Sequence, residues 1–284
     1  MSYQIASDVR CELGEGLLWK ADEGALYWVD ILAPAVHRLE LASNTLRSWP
    51  MPEPIGWIIP RRAKPGFIAG FKSGFAELTL DPVIIRKIGD PSAGLPGEMR
   101  MNDAKADAKG RIFAGTMCMK HTAPGSFYRL DPDLTWHRLD TGYGVTNGPA
   151  FSPDQRTLYH TDTTRGLVYR FDVDADGGLH DKRVFIAFEP DWGAPDGMTT
   201  DAEGGLWIAH WGGSCVSRFD PDGKRECVIS LPAPRITNCV FAGENLARMF
   251  VTSAGGKEGD APIAGAVFEI DPGCRGLPPG SFAG

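Results

Sequence analysis

An all-β chain folded as one six-bladed β-propeller is the architecture this sequence predicts. Three observations predict it. A short β-rich run occurs six times, as Leu26–Asp30, Phe67–Gly70, Ile112–Thr116, Leu158–Asp162, Leu206–His210 and Met249–Ser253. The starts of these runs lie 41, 45, 46, 48 and 43 residues apart, the period of propeller blades. The unit holds strands and turns and no helical periodicity.

Each element of the blade follows from local chemistry. A turn rich in Asp, Gly and Pro precedes the recurring run, as in Asp22-Glu23-Gly24 and Asp201-Ala202-Glu203-Gly204. Glycine supplies positive φ there and aspartate bonds the backbone two residues on, so these are hairpin turns. About ten residues after each run comes a second strand, such as Val36–Glu40, Phe127–Asp131 or Val216–Asp220, most of them alternating apolar with polar. Ahead of the turn lies the strand expected nearest the propeller axis. The segment Tyr3–Ala6 has no partner near it in sequence, and the last blade lacks an outer strand. A ring must remove its open edges, so the N-terminal segment is expected to complete the sixth blade. Six blades use the whole chain, giving one domain over residues 1–284.

Composition narrows the function. The net charge is −7 and no long Lys/Arg cluster occurs, which argues against a nucleic-acid or acidic-membrane partner. No apolar stretch approaches the length of a spanning helix, and no basic-then-apolar leader is visible. A cytoplasmic protein, monomeric or weakly homo-oligomeric, is expected. The six scattered cysteines include no Cys-x-x-Cys pair and read as reduced and mostly buried.

The inner strands carry the chemistry. Ten or eleven residues before the recurring runs stand Glu15, Gly56, Asn102, Asn147, Asp196 and Asn238. Asn, Asp and Glu are depleted in strands, yet they fill all but one of these equivalent positions. Their side chains are expected to meet at one end of the central channel. Two carboxylates with amide oxygens suit a hard or borderline divalent cation; the alternative is a water-filled polar channel. Asp172-Val173-Asp174-Ala175-Asp176-Gly177 mimics half an EF-hand, but Arg183 stands where the bidentate Glu is needed and the flanks are strands. His160 and His210 occupy equivalent strands and are expected to be buried with a hydrogen-bond partner. Trp19, Trp28 and Trp207 are expected between blades. Neither a zinc-protease histidine pair nor a Gly-x-Ser-x-Gly elbow is present.

The stretches Glu12-Leu13-Gly14-Glu15-Gly16, Arg100-Met101-Asn102-Asp103 with Gly115-Thr116-Met117, Thr146-Asn147-Gly148-Pro149 with Ser152-Pro153-Asp154, Pro195-Asp196-Gly197-Met198, and Leu231-Pro232-Ala233-Pro234 leading to Thr237 carry a resemblance. Together they resemble the sugar-lactonase family of senescence marker protein 30 (regucalcin), gluconolactonases and pentonolactonases. The resemblance implies a six-bladed propeller and one divalent metal ion held by Glu15, Asn147 and Asp196. Calcium is the family's usual metal; zinc, manganese or iron(II) could serve. Asp196 also matches the family's acid/base, and Arg100 and Asn102 match groups that bind the sugar. Where the family often has an acidic residue, this chain reads Cys118-Met119-Lys120-His121. Lys120 therefore becomes a candidate substrate contact, suited to an anionic lactone. The implied activity is hydrolysis of an aldonolactone, of gluconolactone or pentonolactone type, with a lean to the bacterial enzymes. The alternatives are a non-enzymatic calcium-binding propeller and a metal-dependent esterase or phosphotriesterase of the same fold.

Overall fold

The computed structural model describes residues 3–284. Its strands form six antiparallel four-stranded sheets arranged as blades. The inner strands are Gly14–Lys20, Ile55–Pro60, Met99–Ala106, Thr146–Phe151, Ala194–Thr200 and Ile236–Ala242, for blades one to six. Each recurring run of the sequence is the second strand of its blade, hydrogen-bonded to the inner one.

The ring closes as expected. Tyr3–Ile5 pairs antiparallel with Val267–Ile270 and becomes the outer strand of blade six. Tyr3 adds an edge-on contact to Phe268, ring centroids 5.7 Å apart. The N-terminal segment and the strands of blade six thus share one sheet, which ties the start of the chain to the last blade.

Apolar side chains fill the spaces between neighbouring blades. Trp57, Ile59, Met101 and Ala114 pack between blades two and three. Trp19 and Trp28 pack with Val240 and Phe250 between blades six and one, and Trp207 packs with Phe241 between five and six. This is the placement expected for these tryptophans. Burying a Val, Leu, Ile, Phe or Met side chain contributes roughly 1.5–3 kcal/mol, so the wedge-shaped cores, rather than the polar axis, hold the ring together.

The Gly/Pro-rich tail after Ile270 does not hang free. It crosses beneath the ring from blades five and six to blades two and three. Ala202 N–H donates to Arg275 O at 2.8 Å, Phe282 N–H to Pro60 O at 2.8 Å, and Ala283 N–H to Gly110 O at 3.1 Å. Phe282 is fully buried in the core between blades two and three. Gly110, at φ +83°, is one place where glycine is required: a Cβ there would lie 2.4 Å from that of Ala283. Leu277–Gly280 covers the end of the axial channel, leaving a cavity of about 140 Å³.

The six cysteines are unpaired and four are buried. Among the described residues, no helix is long and apolar enough to cross a membrane.

Candidate functional site

Glu15, Asn102, Asn147 and Asp196 lie in the early part of their inner strands, at the end of the channel away from the tail. Every inner strand shifts register at or beside its functional position: between Glu15 and Leu18, Ile55 and Trp57, Met101 and Ala104, Asn147 and Ala150, Pro195 and Met198, and Ile236 and Asn238. A bulge bends the strand and re-aims a side chain that simple alternation would send elsewhere. This accounts for the repeated polar-residue–glycine pairs. Gly16 adopts φ +58° and Gly148 φ +65°, values that favour glycine. Blade two lacks a polar group because its inner strand runs too close to its neighbour. A Cβ on Gly56 would meet Asn102 O at 2.6 Å.

Two separate chains of hydrogen bonds run around the axis. Arg100 Nη1 donates to Asn102 Oδ1 at 2.6 Å and to Met101 O at 3.0 Å. Asn102 Nδ2 donates to Asn147 Oδ1 at 2.9 Å and also to Thr146 O. Asn147 Nδ2 donates to Thr163 Oγ1 at 2.8 Å, and that hydroxyl donates to Pro195 O at 2.7 Å, beside Asp196. Across the ring, Asn238 Nδ2 donates to Glu15 Oε2 at 3.1 Å and reaches Asp103 Oδ2 at 3.4 Å. Arg100, Asn102, Asn147, Glu15, Asp103, Asp196 and Asn238 are all buried.

Asp103 was not among the residues singled out from the sequence. Strand alternation places it opposite Asn102, away from the axis. The bulge between Met101 and Ala104 breaks that alternation. The available signal was the dipeptide Asn102-Asp103 itself, two adjacent polar residues where strand alternation allows only one.

Burial and like charge dominate the electrostatics. Glu15 is pushed up to about 8, first by burial and then by the negative charge of Asp103, against the hydrogen bonds from Asn238 and Gly16. Asp103 is raised to about 6 by burial. Asp196 is raised well above the ordinary carboxylate range by burial and by the charges of Glu15 and Asp103. Arg100 is lowered to about 10 by burial, although Glu15 and Asp196 oppose the shift. Three carboxyl groups thus share one dry volume and cannot all ionise comfortably. Asp196 Oδ1 and Asn238 Oδ1 are buried with no hydrogen-bond partner. An orphaned carboxylate oxygen in a native site calls for a missing ligand. The donor set is entirely oxygen, which fits a divalent cation. Among the described residues, no group of three His, Cys, Asp or Glu could hold a metal ion by itself.

Two expectations are placed differently. Lys120 lies on an exposed turn, its side chain 74% accessible and its ammonium 3.7 Å from Glu98; the hydrogen bonds of the central ring do not include it. His210 Nδ1 has its expected partner, Trp192 O at 2.8 Å. His160 does not: neither ring nitrogen is bonded. Its ring lies 3.9 Å from Phe127 and 4.6 Å from Tyr143, centroid to centroid. Burial pushes it down to about 3, so it packs as a neutral aromatic ring.

Residues 13–255 match the family described as SMP-30/Gluconolactonase/LRE-like region. The pentonolactonase XacC of Haloferax volcanii is 34% identical over 284 residues, covering 95% of this chain and 94% of that protein. The 6-deoxy-6-sulfogluconolactonase of Pseudomonas putida is 33% identical over 275 residues, covering 92% and 93%. Among solved structures, a calcium-binding regucalcin from Agrobacterium tumefaciens superposes with a TM-score of 0.92 at 27% identity, over 99% of this chain and 97% of the other.

Proposed function

The chain belongs to the SMP-30/gluconolactonase/LRE-like family, and from that premise and the geometry of the ring we propose that it is a metal-dependent sugar lactonase. The observation that carries this reading is the buried pair Glu15 and Asp196 beside Asn147, with Asp196 Oδ1 unpartnered. These three residues would hold one divalent cation. When bound, the cation supplies a Lewis acid for the lactone carbonyl and the oxyanion that develops on it.

The protein's own groups do the rest. Asp196 takes a proton from the attacking water with the carboxylate oxygen that does not face the cation and returns it to the ring oxygen as the ester bond breaks. Its raised affinity for protons belongs to the metal-free site; it falls with a cation bound, leaving the carboxylate ionised to accept the proton. Arg100, held by its 2.6 Å hydrogen bond to Asn102 Oδ1, presents its remaining donors to the sugar hydroxyls, and Asn102 has a lone pair of Oδ1 to accept from one of them. Arg100 stays cationic at neutral pH even after its fall to about 10. Lys120, on the exposed turn after Cys118, is a further candidate contact for a substrate bearing negative charge. The printed names of the relatives, a pentonolactonase and a sulfonated-gluconolactone lactonase, support the substrate class.

The test is proton release measured by pH-stat on hexono-, pentono- and sulfonated sugar lactones, with and without chelator. Hydrolysis of at least one lactone, lost with chelator and restored by a divalent cation, is the expected result. Cation binding without hydrolysis of any of them would return the chain to a non-enzymatic propeller. Hydrolysis of aryl esters or phosphotriesters alone would make it an esterase of another kind.

A further inference from the structure

The carboxylate ring has a neighbour on its other side. Lys105 stands two residues beyond Asp103 on the inner strand of blade three, and both line the cavity that Leu277–Gly280 covers. Lys105 is partly buried. No carboxylate oxygen comes within 4.0 Å of its ammonium among the described residues. An unpaired lysine is ordinary on a surface and costly inside a channel walled by inner strands. Its field reaches upward: it draws both the Asp103 carboxyl and the Cys239 thiol down against the effect of their burial.

Charge counting gives this placement a purpose. Glu15, Asp103 and Asp196 together can carry three negative charges. Arg100 sets its charge against Glu15 and Asp196 at the mouth, whereas Asp103, on the cavity side, has Lys105 as its cation. We propose that Lys105 is the internal counter-charge of the carboxylate cluster, acting on Asp103 from the cavity side of the channel while the divalent cation acts from the mouth. This rests on the cation reading of the site. Lys105 acts through Asp103 and touches no substrate, so it is a positioning residue. Without the cation it keeps the ring from repelling itself apart; with the cation present it weakens the cation's hold.

The experiment compares wild type with Lys105→Met, close in shape but uncharged, and with Lys105→Arg. Metal-free thermal unfolding and calcium titration by calorimetry are measured on each at pH 8. Lys105→Met is expected to melt lower than wild type without metal and to bind calcium roughly three- to tenfold tighter, the size of one screened unit charge at short range. Lys105→Arg is expected to keep both values near wild type. Unchanged metal-free melting with affinity within about twofold, or weaker calcium binding, overturns the proposal. Equal loss of stability in the Met and Arg variants also overturns it, because packing rather than charge would then be at stake. If Lys105→Met folds only with calcium present, Lys105→Gln prepared with calcium supplies the affinity, and the same limits apply. A wild type that binds no divalent cation sinks the cation reading instead, and the metal-free melting comparison alone then decides the role of Lys105.

Discussion

The two ends of the central channel are built on opposite principles. At one end, Glu15, Asp103 and Asp196 crowd into a buried volume, and Asp196 Oδ1 and Asn238 Oδ1 are left without partners. At the other, the tail covers the cavity and buries Phe282 completely, with backbone hydrogen bonds to blades two, three and five. The first end stores unfavourable electrostatics; the second supplies apolar burial. The same six inner strands serve both because each carries a bulge, and in the five that hold a polar residue it separates that residue from the packing residues. Changes at the mouth should therefore alter chemistry and spare the fold, and changes at the tail should do the reverse.

The largest effect is expected at the mouth. Asp196→Asn keeps an oxygen donor and removes the proton acceptor, so turnover at saturating metal should fall about 10²- to 10⁴-fold. Arg100→Ala should act mainly on the Michaelis constant, since the guanidinium cannot serve as a base near neutral pH. Steady-state kinetics of both variants distinguish these roles; near wild-type turnover in Asp196→Asn would place the base elsewhere.

At the tail, Phe282→Ala should cost about 3–5 kcal/mol of stability and leave calcium affinity within twofold or so. Denaturant unfolding and calorimetry give the two numbers. A large change in affinity with little loss of stability would erase the contrast between the ends.

The pH dependence sharpens it further. Glu15 is raised to about 8 in the folded metal-free protein from its ordinary value of 4.5. A raised carboxyl holds its proton more tightly when folded, so its contribution is fully present below about 4.5 and is lost as pH rises through about 8. Asp196 shifts in the same direction. Metal-free protein should thus melt at progressively lower temperature between pH 5 and pH 9. Glu15→Gln should flatten that slope, and so should calcium. A slope of the same steepness in all three would mean the carboxylates are not the source.

The smallest effect is expected at Lys120. Its exposed side chain pairs at long range with Glu98. Lys120→Ala should slow hydrolysis of anionic lactones a few-fold at most and leave neutral ones unchanged. Equal rates on both classes would remove it from the site.

Much of this was legible in the sequence, for physical reasons. The ring was legible because a blade cannot bury its own faces, so its apolar period must repeat. Glu15, Asn102, Asn147 and Asp196 were legible because polar residues at one strand register, blade after blade, have no packing explanation. Asp103 was not, because a bulge overrides the alternation from which a strand's inward face is inferred. The tail was not, because Leu277 and Phe282 sit in a segment with neither helical nor strand period. His160 misled because a histidine can be buried as an aromatic ring as readily as a hydrogen-bonding group.

The central claim is that the carboxylate ring is a cation site that holds protons when empty. Calorimetric titration of the metal-free protein with calcium at pH 7, repeated in two buffers of different ionisation enthalpy, tests it most directly. The account predicts one cation per chain, with protons released on binding as Glu15 and Asp196 give theirs up. In Glu15→Gln, binding should be weakened and fewer protons released. Absence of binding by any divalent cation, or full affinity with unchanged proton release in Glu15→Gln, would contradict it.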